Sequence, residues 1–140
     1  MMEEHNELTE RTAAPAPEDA GVQALAYLGD AVMELFVREA LVRHGLCASG
    51  RLNEAALQYV KATAQSEALN RILPLLTPEE ENVYRRGRNS PHIHASPKSA
   101  TLAEYRRASG FETLCGKLHL EGKQERLREL LCAAYPDLGE

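Results

Sequence analysis

Asp30 and Glu112 are the residues of this chain whose surroundings point to chemistry. Asp30 lies in Ala24-Leu25-Ala26-Tyr27-Leu28-Gly29-Asp30-Ala31-Val32-Met33, and Glu112 in Ser109-Gly110-Phe111-Glu112-Thr113-Leu114-Cys115-Gly116. Both are apolar runs of helical type with glycine close to the acid. Burying an unpaired ionised carboxylate costs several kcal/mol, and a glycine inside a helix costs about 1 kcal/mol relative to alanine. Two such breaches, 82 residues apart, point to one site where the acids converge on a hard divalent cation with oxygen ligands, Mg²⁺ being the expectation. The alternative is that each acid pairs with a buried arginine or caps a neighbouring helix.

Other residues fall around this pair. Gln23 is seven residues before Asp30 and shares its helix face, where it can reach a cation-bound water in an outer shell. Glu34 follows on nearly the same face, but an i, i+4 pair with Arg38 explains it, so it is left out of the ligand set. Ser109 sits one turn before Glu112 and is a second candidate for the outer shell. His119 reads as a core or surface histidine. Tyr84-Arg85-Arg86-Gly87-Arg88-Asn89 sets fixed cations around a glycine, read as flexible, at a helix end, and guanidinium forks match phosphate oxygens. Such a cluster also forms when arginines merely bridge to surface acids. His92 and His94 lack a third nitrogen or sulfur ligand and read as solvated loop residues.

Helices must position these groups. Residues 1–17, with many acids and no apolar period, read as a flexible tail. Glu18 or Asp19 starts a helix running to about His44, with Leu25, Leu28, Val32, Leu35, Phe36, Ala40 and Leu41 as its core stripe and Gly45 as its stop. A second helix opens at Ser49 or Gly50, and a third ends at Pro74. Thr77-Pro78-Glu79-Glu80 has the order of a capping box for a fourth. A loop covers Ser90 to Pro97. A long helix from about Ser99 to Leu120, stopped by Gly122, carries Glu112, and a last one runs from about Lys123 to Ala134. No segment alternates with period two. The expectation is an all-α bundle of six or seven helices with the Asp30 and Glu112 helices at its centre.

At 140 residues and 44% hydrophobic content the chain is long enough for one domain with its own core. It has no apolar run of membrane-spanning length and an acidic N-terminus unlike a signal peptide, so no membrane association and a cytoplasmic location are expected. Cys47, Cys115 and Cys132 are odd in number and unpatterned, and read as reduced thiols. The net charge of −5 is uneven: residues 1–20 hold six acids and one base, and the remainder is neutral. Between Tyr84 and Ala108, Arg85, Arg86, Arg88, Lys98, Arg106 and Arg107 face Glu104 alone, a local basic patch.

Leu25-Ala26-Tyr27-Leu28-Gly29-Asp30-Ala31-Val32-Met33-Glu34-Leu35 resembles the signature helix of ribonuclease III domains. Arg86-Gly87-Arg88-Asn89, Pro97-Lys98 and Glu104 through Leu120 look like the smaller Mini-III branch, in the same order along residues 20–134. The resemblance implies a catalytic domain over residues 18–136 with the helical bundle of ribonuclease III endonucleases. It implies a homodimer cleaving double-stranded RNA with Mg²⁺ to leave 5′-phosphate and 3′-hydroxyl ends, and lacking a separate double-stranded-RNA-binding module. The implied substrate is precursor 23S ribosomal RNA, trimmed at its paired ends, with a ribosomal protein as a possible helper. Carried over by position, Asp30 and Glu112 are the catalytic metal ligands. Larger members have acids where this chain has Gln23 and Ser109, so the implied number of metal ions stays open. Arg85, Arg86, Arg88, Asn89, Lys98 and Arg106 are the expected RNA-backbone contacts, in keeping with recognition of A-form RNA through phosphates and 2′-hydroxyls. A catalytically inactive ribonuclease-III-like dimer that binds structured RNA would keep the basic patch with no use for the two acids together. An all-α nucleotide pyrophosphohydrolase would cluster acids as E-x-x-E, a spacing present here only at surface-like positions.

Overall fold

The computed structural model describes residues 21–91 and 100–139. The tail expected over 1–17, the helix start expected at Glu18 or Asp19, and His92, His94 and Lys98 lie outside them. The described residues form helices α1 (Val22–Arg43), α2 (Ser49–Val60), α3 (Ala62–Ile72), α4 (Pro78–Arg88), α5 (Leu102–Leu120) and α6 (Gln124–Ala134), with a 3₁₀ turn at Leu73–Leu75, and no strand among them.

Local chemistry fixes most of the ends. Thr77 accepts from the Glu80 amide while the Glu80 side chain accepts from the Thr77 amide, with Pro78 at the first helical position. Thr101 and Glu104 repeat that exchange, so α5 begins at Leu102 rather than near Ser99. Each such cap is worth about 1 kcal/mol. Gly45 and Gly122 stop α1 and α5 with φ of +95° and +72°, a left-handed turn that side chains with a Cβ avoid. Pro74 does not end α3 outright, because it fits the first turn of the 3₁₀ segment.

α5 is the hub. α1, α3 and α4 pack around it and α6 closes the base. Phe111, Leu114, Cys115 and Leu118 of α5 meet Met33 and Val37, Leu69 and Ile72, and Leu127, Leu130 and Leu131 in one core. Polar ties hold the outer elements in register. Arg126 grips Glu80 through two bonds (2.9 and 2.8 Å) and the Leu75 carbonyl at 2.7 Å. Arg71 donates to the Ala134 carbonyl at 2.7 Å, and the Tyr135 hydroxyl to that of Tyr59 at 3.0 Å. Arg107, counted above in the basic patch, is occupied by Ser66 and Asn70 of α3.

The core face of α1 differs from the expected stripe. Its buried residues are Leu25, Gly29, Met33, Val37, Ala40 and Leu41, whereas Leu28, Val32 and Phe36 are half-buried and Leu35 is 68% exposed. Glycine at position 29 draws α5 in along its own side and turns the larger apolar residues away. Tyr27, 86% exposed, Leu35, Val42 and the exposed Ala24 and Ala31 then share about an 80° arc of α1 that faces solvent.

Candidate active site

The approach of α1 to α5 is set by two glycines. A Cβ on Gly29 would stand 1.7 Å from the Glu112 carbonyl oxygen, and one on Gly116 2.0 Å from the Leu25 carbonyl oxygen. The helices therefore touch backbone to backbone, which the sequence registers only as two glycines in apolar runs. Gly29 precedes Asp30, and Glu112 supplies one of the touching carbonyls. Two acids far apart in sequence thus meet at one crossing.

They meet unequally. Asp30 is exposed at the border between the buried face of α1 and its solvent-facing apolar arc and Glu112 is half-buried, so neither acid is as fully buried as expected. Burial chiefly, then a hydrogen bond with Asp30 and the negative charges of Asp30 and Glu34, push the Glu112 carboxyl up to about 9. At neutral pH Glu112 therefore keeps its proton and hydrogen-bonds to Asp30. Glu34 lies near enough to act on Glu112 while bridging to Arg38 at 3.4 Å, as its spacing suggested. Among the described residues no group of three or more His, Cys, Asp or Glu side chains can hold a metal ion.

The outer positions are less engaged. Gln23 is exposed in the first turn of α1. Ser109 is half-buried, and its carbonyl accepts the Thr113 hydroxyl at 2.8 Å. The Cys115 thiol beside Glu112 is driven well above its ordinary value, by burial first and by Glu112 second. Burial likewise raises the Tyr135 hydroxyl. Neither is a nucleophile at neutral pH.

A cationic surface adjoins the pair. α4 crosses α5 where a Cβ on Gly87 would meet Thr113 and one on Gly110 would meet Tyr84. Gly87 is thus a buried packing residue inside α4 and not a flexible link between arginines. This crossing sets the end of α4 beside the turn of α5 that leads to Glu112. Arg85 bridges to Glu81 at 2.5 Å, and Arg86 is exposed. Arg88 lies over the Tyr84 ring at 5.5 Å and donates to Asn89 at 3.1 Å. Arg106 reaches across from α5 to the carbonyls of Arg88 and Ser90, both at 3.5 Å. Tyr84 is the platform under Arg88, and its buried hydroxyl has no hydrogen-bond partner among the described residues.

Comparison with known proteins agrees with this arrangement. Residues 23–123 match the ribonuclease III domain. The Mini-ribonuclease 3 of Symbiobacterium thermophilum is 52% identical over 110 residues, covering 79% of this chain and 84% of that protein. The Mini-ribonuclease 3 of Enterococcus faecalis is 43% identical over 119 residues, covering 84% and 89%. A crystal structure of a Fusobacterium nucleatum protein superposes with a TM-score of 0.73 at 28% identity, over 84% of this chain and 93% of that one. The chain belongs to the ribonuclease III domain family, on its Mini-ribonuclease 3 branch, and is an endoribonuclease of that type.

Proposed function

We propose that this endoribonuclease cleaves double-stranded RNA with Mg²⁺ as a homodimer in the cytoplasm, and that its substrate is the paired ends of precursor 23S ribosomal RNA. The observation that carries the reading is the meeting of Asp30 and Glu112 beside the arginine-rich end of α4. The ribosomal substrate is what the resemblance of the sequence to the Mini-III branch implies.

The donor set fits the cation. Two carboxyl groups within hydrogen-bond reach of each other suit a small hard ion with oxygen preference, and Mg²⁺ keeps several waters, so two protein ligands suffice. When bound, Mg²⁺ supplies Lewis acidity toward a phosphodiester and a water near neutral pH. Glu112 from its half-buried position and Asp30 from the exposed rim would hold the ion between α1 and α5. Arg85, Arg86, Arg88 and Arg106, with Asn89 and with Lys98 from outside the described residues, hold the RNA backbone near the acids. Arg106 acts through its grip on the α4 carbonyls as well as by charge. Gln23 and Ser109 stand where water-mediated contacts to the ion would form.

The apolar arc of α1 supports the dimer. Tyr27, Leu35 and Val42 form a surface stripe that an isolated chain leaves exposed to water, and that a second copy would bury symmetrically. Two copies meeting there set two acid pairs on one duplex, one for each strand. No helix among the described residues is long and apolar enough to cross a membrane.

The test is end mapping of precursor ribosomal RNA incubated with the protein, with and without Mg²⁺. Staggered cuts in one stem, lost in Asp30→Asn and Glu112→Gln, are expected. Duplex left intact by the unmodified protein in Mg²⁺, while still bound, would overturn catalysis in favour of an RNA-docking role.

A further inference from the structure

We propose that Gly29 and Gly116 are positioning residues whose reciprocal backbone contact sets the gap between Asp30 and Glu112, and so decides whether the pair can share a cation. The proposal rests on the reading of that pair as a divalent-ion site and deepens it.

The geometry is specific to this crossing. A Cβ on Gly29 would meet the Glu112 carbonyl oxygen at 1.7 Å, its carbon at 2.6 Å and the Gly116 nitrogen at 2.9 Å. One on Gly116 would meet the Leu25 carbonyl oxygen at 2.0 Å, its carbon at 2.8 Å and the Gly29 nitrogen at 3.1 Å. Every obstructing atom is backbone, so none can rotate away. The contact is also mutual: Glu112 leans its carbonyl on Gly29, and Leu25 leans its carbonyl on Gly116. At the other glycine crossing, the atoms nearest a Cβ on Gly87 belong to the Thr113 side chain.

The contact is built from the peptide units of the acid-bearing segments themselves. Gly29 is bonded to Asp30, and Glu112 contributes its own carbonyl, so no lever intervenes between the crossing and the carboxylates. A methyl group at either glycine must part the helices by more than about 1 Å to reach an ordinary contact of 3.4 Å. Metal ligands tolerate displacement of only about 0.2 Å before coordination suffers. Asp30 has a short side chain and Glu112 is confined by burial, so side-chain adjustment makes up little of that shift. The basic end of α4 lies on a different crossing of α5 and keeps its place.

Mn²⁺ titration of the full-length protein without RNA tests this, comparing the unmodified chain with Gly116→Ala, Asp30→Asn and, as a destabilised control, Leu130→Ala in the core beneath α6. Gly116→Ala is expected to weaken Mn²⁺ binding by about tenfold or more, as loss of an orienting neighbour does. Asp30→Asn should weaken it similarly, Leu130→Ala should leave it unchanged, and Gly116→Ala should bind duplex RNA in EDTA as the unmodified protein does. A folded Gly116→Ala protein with undiminished Mn²⁺ affinity overturns the proposal while leaving the ion site intact. Undiminished affinity in Asp30→Asn overturns the ion site and this inference with it. Should Gly116→Ala fail to fold, hydrogen exchange on the unmodified protein decides: Mn²⁺ must protect the amides of residues 25–30 and 112–116 more than those of 83–87. Equal protection overturns the coupling.

Discussion

Replacing Glu112 by Gln should make the protein more stable and inactive at once, with a pH signature. In the folded chain the Glu112 carboxyl is raised from the usual 4.5 to about 9, so between those values the native state holds a proton that the unfolded chain has released. Stability therefore falls as pH rises through that window and levels off above it. Each pH unit is worth about 1.4 kcal/mol, giving an upper bound of about 3 kcal/mol between pH 4.5 and 7. Because Asp30 is exposed and solvent reaches the pair, about 2 kcal/mol is the working figure. Glutamine keeps the shape and the hydrogen bond to Asp30 without the proton. Urea unfolding in EDTA should show the unmodified protein losing roughly 1 to 2 M in midpoint from pH 5 to pH 8. Glu112→Gln should hold its midpoint over that range. Mg²⁺ at pH 8 should restore the unmodified protein and leave the variant unmoved. Parallel pH curves for the two proteins in EDTA would refute the account of a proton held on Glu112.

Arg126→Ala leaves Glu80 short of its two-pronged partner, and a loss of about 2 kcal/mol in urea unfolding at pH 7 is expected. Because Arg126 holds the Glu80 carboxyl below its ordinary value, the difference from the unmodified protein should shrink as pH falls below the ordinary carboxylate range and Glu80 protonates. Tyr84→Phe removes a buried hydroxyl without a partner and keeps the ring under Arg88, so calorimetry should show unchanged or higher stability, by up to about 1 kcal/mol, with RNA affinity retained. Arg86→Ala should weaken duplex binding, most at low salt, and lower the salt slope of log K by roughly one contact, read from binding isotherms at several KCl concentrations. Tyr27→Glu places a charge in the exposed α1 arc and should turn a dimer into a monomer by sedimentation, while leaving the circular dichroism unchanged.

Fold class and element order were legible because they are local. Capping boxes at Thr77 and glycines at Gly45 and Gly122 act within a turn of themselves, so their meaning is written beside them. The capping box at Thr101 was equally written in the chain, and a helix start assigned three residues early missed it. Asp30 and Glu112 stood out because acids in apolar runs conflict with their surroundings, and such conflicts mark sites. Harder to read was any residue whose role depends on a distant neighbour. Arg107 looks like Arg106 in sequence, yet Ser66 and Asn70 occupy it. Gly87 looks like a hinge, yet Thr113 and Gly110 pack on it.

The sequence by itself determined that helices would form, where most would end, and that two acids were out of place. Tertiary structure alone decided which face of α1 is buried. The period of apolar residues allows two neighbouring stripes, and the choice falls to the side where Gly29 lets the α5 backbone approach. That choice leaves Leu35 and Tyr27 outside, half-buries Glu112 and leaves Asp30 at the rim, and thereby gives two carboxyl groups of similar intrinsic acidity different surroundings. The physical reason is that a helix's period is set by bonds along its own chain, whereas burial, and with it the charge state of an acid, is set by whatever packs against it.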